Sequence, residues 1–247
     1  LYVVGGYIRN FLLGIEKEDI DICSQLLPEE VAKELKGSEF KVKIKSKILG
    51  SALISIGSMT FEYTTFRRDI YPSGGKHMPD KVEFVSSPEE DAKRRDFTCN
   101  ALYYDILNDK ILDFCGGASD IKKKILRTVE TPDKVLCHDG VRILRLFRFE
   151  CELNFKIEKS TLQEAVKNSE NLRDISGERA IYEITRILHS PNKYPGYTKP
   201  NAYMSVLRQF NKFSLWPNFG IDCLKIKFNM VKKVEHKSQG FLIDVID

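Results

Sequence analysis

Asp19-Ile20-Asp21 sets two carboxylates two residues apart. On a β-strand, positions i and i+2 point the same way, so both acids face one side while Ile20 faces the other. Carboxylates so placed repel, and a hard divalent ion such as Mg²⁺ relieves that repulsion. A solvated strand edge is the plainer alternative, because surface acids are common. Just upstream, Gly5-Gly6 is followed by a short helical stretch holding Arg9. Glycines let backbone N–H groups approach an anion closely, and an arginine adds charge-assisted hydrogen bonds to phosphate oxygens. The spacing is neither the dinucleotide fingerprint nor a Walker loop, which excludes both. Phosphate turn, helix and acidic strand all fall within 21 residues, an arrangement that suits phosphoryl or nucleotidyl transfer. Glu62 is a candidate third ligand; taken by itself it reads rather as an exposed strand acid.

Two further clusters carry charge. Arg94-Arg95-Asp96, opening the run to Ala101, reads as a salt-bridged surface turn leading into a buried helix. In the run from His138 to Arg148, Arg142, Arg145 and Arg148 recur every third residue. On a helix they share an arc of about 120°, with Ile143, Leu144 and Phe147 opposite. A solvated basic face is the bland reading. Planar guanidinium forks, with no lysine among them, favour recognition of bases or phosphates. Asp139 lies three residues before Arg142, so the two side chains can meet. Such a pair can read a base edge: the carboxylate accepts from an exocyclic amino group, and the arginine donates to the acceptor beside it. Cytosine and adenine offer that pattern, whereas uracil and guanine present a carbonyl to the carboxylate.

The elements that must position these residues change character along the chain. Strand and helix signals mix in the first half: a strand over 1–4, a helix over 7–13 stopped by Gly14, and a strand over 19–23. A helix over 28–35 and strands over 53–56 and 59–66, joined at Gly57-Ser58, follow. Residues 67–81, charged and holding Pro and Gly, read as a mobile loop; 88–102 is helical in part and 111–114 resembles a strand. From about Thr131 helical spacing takes over, at 139–153, 160–168 and 181–188. Residues 190–200 read as a connector, with helices over 202–213 and 224–234 beyond it.

The 247 residues carry 39 Lys and Arg against 35 Asp and Glu, a net +4 too mild to establish a nucleic-acid partner without local clustering. No apolar run approaches the roughly 18 residues of a membrane-spanning helix, which excludes that class. The six cysteines, Cys23, Cys99, Cys115, Cys137, Cys151 and Cys223, form no CxxC pair. They lack structural-zinc spacing and fit reduced, buried thiols in the cytoplasm.

Taken together, VVGGYIRNFLLG, DIDI, FEYTTFRRD, RRDFTCNALYYD, DFCGGASDI and HDGVRILRLFRFECELNF resemble the class II tRNA nucleotidyltransferases. These are the CCA-adding enzymes of bacteria and eukaryotes, with the related bacterial poly(A) polymerases. The resemblance runs in order from residue 1 to about 190 and implies an α+β fold. A polymerase-beta-like nucleotidyltransferase head, a mixed sheet with helices, would occupy 1–128. An all-helical neck with a base-templating helix would occupy 129–190, and a helical body or truncated tail 191–247. The resemblance further implies that Gly5, Gly6 and Arg9 contact the nucleotide and that Asp19 and Asp21 bind catalytic Mg²⁺, with Glu62 an acid near the metal. Arg95 would lie near the sugar and triphosphate. Asp139 and Arg142 would template the base, with Arg145 and Arg148 lining the same site. Residues 67–81 match the family's flexible loop, thought to help switch specificity from C to A. The activity implied is template-independent addition of C, C and A to the tRNA 3′ end from CTP and ATP, releasing pyrophosphate. Poly(A) synthesis, addition of CC or A alone, and a catalytically silent RNA-binding protein stay open as alternatives. No membrane partner is implied. Asn10 stands where the family usually has Asp, and His138 where it usually has Glu. The chain also begins almost at the first motif and ends short of the family's usual length, as a fragment or a reduced tRNA platform would.

Overall fold

The computed structural model describes residues 1–16, 19–71, 79–137, 139–215 and 218. Its first strand, β1 (Tyr2–Val4), ends at Gly5, whose φ of 80° only glycine adopts readily, and the chain turns into α1 (Gly6–Leu12). It returns as β2 (Asp21–Ser24), antiparallel to β1 with Val4 opposite Asp21. The strand therefore starts two residues later than expected. Once β1 has swung away at Gly5, Asp19 and Ile20 have no antiparallel partner to pair with.

Pro28 opens α2 (Pro28–Glu34), where the Glu30 carboxylate accepts from the Leu27 N–H at 2.6 Å and closes the helix start. Three antiparallel strands follow: β3 (Lys41–Ser46), β4 (Ser51–Ile56) and β5 (Met59–Thr65). The lysines of β3 alternate with half-buried apolar residues, and that charge masked it as a strand in the sequence. The segment expected as a loop over 67–81 instead begins in β6 (Arg67–Ile70), which pairs antiparallel with β7 (Lys81–Phe84). The middle of that expected loop lies outside the described residues. Next come α3 (Pro88–Lys93), capped by Ser87, a 3₁₀ turn at Thr98–Asn100, β8 (Leu102–Asp105), β9 (Lys110–Asp113) and α4 (Gly117–Lys123). The main sheet has the order β3-β4-β5-β2-β1-β8-β9, and its one parallel pair, β2 with β5, sets Asp21 opposite Glu62.

Among its described residues the second half is helical apart from β10 (Ile125–Leu126) and β11 (Lys156–Ile157), which pair parallel. Its helices are α5 (Pro132–Leu136), α6 (Gly140–Leu153), α7 (Lys159–Lys167), a 3₁₀ turn at Ser169–Asp174, α8 (Gly177–Leu188), α9 (Ser190–Lys193) and α10 (Ala202–Lys212). The expected connector at 190–200 thus starts as one turn of helix. The helix expected at 224–234, together with Cys223 and His138, lies outside the described residues. The axis of this half is α6, nearly all of which is buried. Gly140 lets it start there, since a Cβ would stand 2.2 Å from the Asn171 carbonyl oxygen. One apolar core runs from Ile8, Phe97, Leu102, Ile121 and Leu126 through Ile143, Leu144 and Phe147 to Phe210, so it crosses residue 128 without a break. The described cysteines are all free, and burial pushes the thiols of Cys23, Cys99 and Cys151 up to about 12. No helix among the described residues is long and apolar enough to cross a membrane.

Candidate active site

A cleft of about 520 Å³ opens where the Gly5 turn, the end of β6, the Arg94–Asp96 segment, α6, α8 and α9 converge. Asp19 and Asp21 both line it, as do Gly5, Gly6, Arg9 and Arg95. A Cβ on Gly5 would lie 3.7 Å from Arg95 Nη1 and 3.9 Å from Asp21 Oδ2, so the turn holds backbone, guanidinium and carboxylate against one another. Asp21 reaches solvent at the cleft mouth, yet the protein around it removes much of its hydration. That desolvation, with repulsion from Glu62 and Asp19, outweighs the attraction of Arg95 and Arg145 and pushes its carboxyl up to about 6. A desolvated carboxylate with acidic neighbours is the donor chemistry a divalent cation satisfies. Glu62 shares that electrostatic environment without lining the cleft: it is mostly exposed and pairs with Lys45 at 3.0 Å. Among the described residues no three metal-binding side chains converge, so Glu62 does not join Asp19 and Asp21 in a three-acid cluster.

Arg9 is 3% exposed, and its partners among the described residues are all neutral. It donates from Nη2 to Asn10 Oδ1 at 2.9 Å and to the Tyr194 hydroxyl at 3.1 Å, and from Nη1 to Asn100 Oδ1; it also stands over the Phe149 ring. Asn10 fixes this arginine without neutralising it, and a buried uncompensated cation is a ready partner for phosphate. The neighbouring arginines are paired. Asp91, fully buried, accepts from Arg94 Nε at 2.7 Å, Arg95 Nη2 at 3.1 Å and the Tyr103 hydroxyl at 2.6 Å. Burial raises its carboxyl, but Arg94 and Arg95 outweigh this and hold it down at about 2. Asp96 is likewise held at about 2, against its burial, chiefly by Arg145, which donates to Oδ2 from Nε at 2.7 Å.

The arginine stripe of α6 faces the cleft rather than open solvent, so the reading of a solvated basic face is set aside. Asp139 is the N-cap of α6: Oδ1 accepts from the Val141 N–H at 2.9 Å, and Oδ2 lies 3.9 Å from Arg142 Nε. Arg142 Nη1 and Nη2 donate to the carbonyls of Val135 and Arg94 at 3.2 and 2.7 Å, locking the guanidinium in place. Arg148 is 1% exposed and donates to the buried Glu183 and Glu152 at 2.6 and 2.8 Å. It reaches the cleft wall as the centre of an ion-pair network that ties α6 to α8.

Several cleft residues escaped sequence reasoning because they come from distant segments. Lys193 approaches Asp19 Oδ2 at 3.4 Å, Tyr194 receives the hydrogen bond from Arg9, and Asn100 braces Arg9 from the 3₁₀ turn. Arg67, expected in a loop, donates to Asp69 at 2.7 Å and to the Leu49 carbonyl at 2.6 Å. Among the described residues the cleft is lined by nine arginines and one lysine against five aspartates. Counting Asp91, Glu152 and Glu183 behind it, the cations still exceed the acids, ten to eight, which suits a polyanionic ligand.

Comparison with known proteins agrees with this geometry. Residues 1–127 match the family model described as poly A polymerase head domain, and residues 154–199 match one described as a probable RNA and SrmB-binding site of polymerase A. The chain is 40% identical over 191 residues to a CCA-adding enzyme of Streptococcus gordonii, covering 77% of this chain and 46% of that protein. It is 37% identical over 195 residues to one of Ligilactobacillus salivarius, covering 79% and 47%. The crystal structure of the Bacillus stearothermophilus CCA-adding enzyme in complex with CTP superposes with a TM-score of 0.69 at 36% identity, over 77% of this chain and 44% of that one. The Thermotoga maritima CCA-adding enzyme complexed with tRNA superposes at 0.69 and 26% identity, over 88% and 47%. The chain therefore spans about half the length of the relatives it matches. With its head model covering just over half of the sequence, the chain belongs to the poly A polymerase head-domain family.

Proposed function

We propose that the chain is the catalytic part of a CCA-adding enzyme, a tRNA nucleotidyltransferase that extends the tRNA 3′ end with C, C and A from CTP and ATP in the cytoplasm. The observation that carries this is the cleft itself: Asp19, Asp21, Gly5, Gly6, Arg9 and Arg95 line one wall and Asp139 and Arg142 another. The relatives named as CCA-adding enzymes align over more than three quarters of the chain.

In the transfer, the primer 3′-oxygen bonds to the α-phosphorus. The bond from that phosphorus to the bridging oxygen breaks, pyrophosphate departs and the hydroxyl proton is lost to solvent. Asp19 and Asp21 would hold Mg²⁺, which supplies charge neutralisation of the triphosphate and acidification of the 3′-hydroxyl. Arg9, whose partners are neutral, takes the triphosphate oxygens beside the open backbone of Gly5 and Gly6. Arg95, fixed by Asp91 and Tyr103, orients sugar and phosphate. Asp139 and Arg142 stand at the start of α6 as the base-reading pair. Holding both rigidly lets uracil and guanine be rejected, because buried polar groups would be left unpaired.

The test is extension of tRNA lacking its CCA end with each nucleotide alone and then both together. CTP alone should add two residues, and both nucleotides should complete CCA. Long A tracts from ATP would assign poly(A) synthesis instead, and binding of tRNA without incorporation would assign a silent RNA-binding protein.

A further inference from the structure

Arg179, Tyr182 and Arg186 stand three and four residues apart on α8, so they share one side of that helix. Arg179 and Arg186 both line the cleft, and Tyr182, beside them both, is 50% exposed. Its ring centroid lies 5.4 Å from the guanidinium carbon of Arg179 and 5.8 Å from that of Arg186, whose Nη1 donates to the tyrosine hydroxyl at 3.4 Å. Both arginines are anchored from behind by fully buried carboxylates: Arg179 Nη2 lies 3.3 Å from Glu183 Oε1, and Arg186 Nη2 donates to Glu152 Oε1 at 3.1 Å. Because Arg148 shares the same two glutamates, three cations rest on two anions and the group keeps one net positive charge. An exposed single aromatic is ordinary; one set beside two anchored guanidiniums that line a basic cleft is a different surface.

Single-stranded nucleic acid is bound by that combination, with bases stacking on aromatic and guanidinium planes while cations take the backbone charge. A protein partner bearing carboxylates would find the arginines already paired, whereas a nucleobase needs their planes and the ring. We propose that the Arg179–Tyr182–Arg186 face of α8 is the stacking platform for the unpaired 3′-terminal nucleotides of the RNA primer. The identity of the strand as tRNA rests on the function proposed above; the platform itself rests on the α8 geometry.

The test measures binding of a 5′-fluorescein tRNA lacking its CCA end by anisotropy, and binding of CTP by calorimetry, for the full chain carrying Tyr182→Ala, Tyr182→Phe or Tyr182→Trp. Tyr182→Ala should weaken RNA binding about five- to thirty-fold, the scale of one lost stacking contact, with CTP binding unchanged. Tyr182→Phe and Tyr182→Trp should keep wild-type RNA affinity, because they keep the ring. Unchanged RNA affinity in Tyr182→Ala overturns the platform. So does an equal loss in Tyr182→Phe, which would assign the effect to the hydroxyl, and so does loss of self-association with RNA affinity intact. If the wild type binds tRNA but incorporates nothing, the transferase reading fails, while the RNA affinities still decide the platform.

Discussion

Asp21 is placed where the fold penalises its charge. It is open to water at the cleft mouth, yet desolvation, Glu62 and Asp19 push its carboxyl up to about 6. Folding therefore makes ionised Asp21 less favourable than it is in the unfolded chain, and above pH 6 this group lowers stability. A residue kept at a cost to the fold is the kind that function retains. Asp21→Asn should cut nucleotide incorporation by about a hundred- to a thousandfold or more, while the midpoint of thermal unfolding at pH 8 stays level or rises. A midpoint that falls by several degrees would assign Asp21 to structure instead. Arg9 shows the complementary logic. Its neutral partners, with Asn10 in the position where a carboxylate would neutralise it, leave a buried positive charge for the ligand to satisfy.

At the scale of elements, α6 does two jobs with two faces: its start presents Asp139 and Arg142 to the cleft, and its far end packs on α8 and α10. The contact with α10 contains Glu150, which accepts from Gln209 Nε2 at 2.7 Å. Burial pushes the Glu150 carboxyl up to about 7, more than the Gln209 bond pulls it down. The folded chain thus holds a proton that the unfolded chain releases near pH 4.5, and stability falls as pH rises towards 7 and stays lowered above it. Glu150→Gln should raise stability by about 1–3 kcal/mol at pH 8 and by much less at pH 5, read from urea unfolding at both. Sequence periodicity makes the arginine stripe of α6 legible because it depends on neighbours within one element; the acid pair is legible only as a spacing, since Asp19 lies ahead of β2 and Asp21 begins it. Periodicity hides that Arg148 differs from Arg142 and Arg145 at identical spacing, since Glu183 comes from a helix 35 residues on. Lys193 and Tyr194 are hidden the same way, reaching Asp19 and Arg9 across 174 and 185 residues. The β3 and β6 strands escape for a local reason: sheet edges and ribbons carry alternating charge that reads as loop.

For the whole molecule, the decisive feature is an apolar core that ignores the expected boundary at residue 128. Ile8, Phe97, Leu102, Ile121 and Leu126 of the first half bury themselves against Ile143, Leu144, Phe147 and Phe149 of α6. The parallel pair of β10 with β11 bridges the same junction through main-chain hydrogen bonds. Arg145 to Asp96 and Arg142 to the Arg94 carbonyl add polar ties between the cleft walls. Removing α6 would strip cover from five large side chains, at about 1.5–3 kcal/mol for each fully uncovered one. That sum is comparable with the total stability of an ordinary domain. Residues 1–128 expressed alone should therefore bind a hydrophobic dye and unfold over a broad urea range, whereas the full chain should show one steep transition. A sharp, cooperative transition in the 1–128 fragment, with no dye binding, would mean that the head carries a sufficient core of its own. The cleft would then be an interface between two independently stable bodies rather than the seam of one.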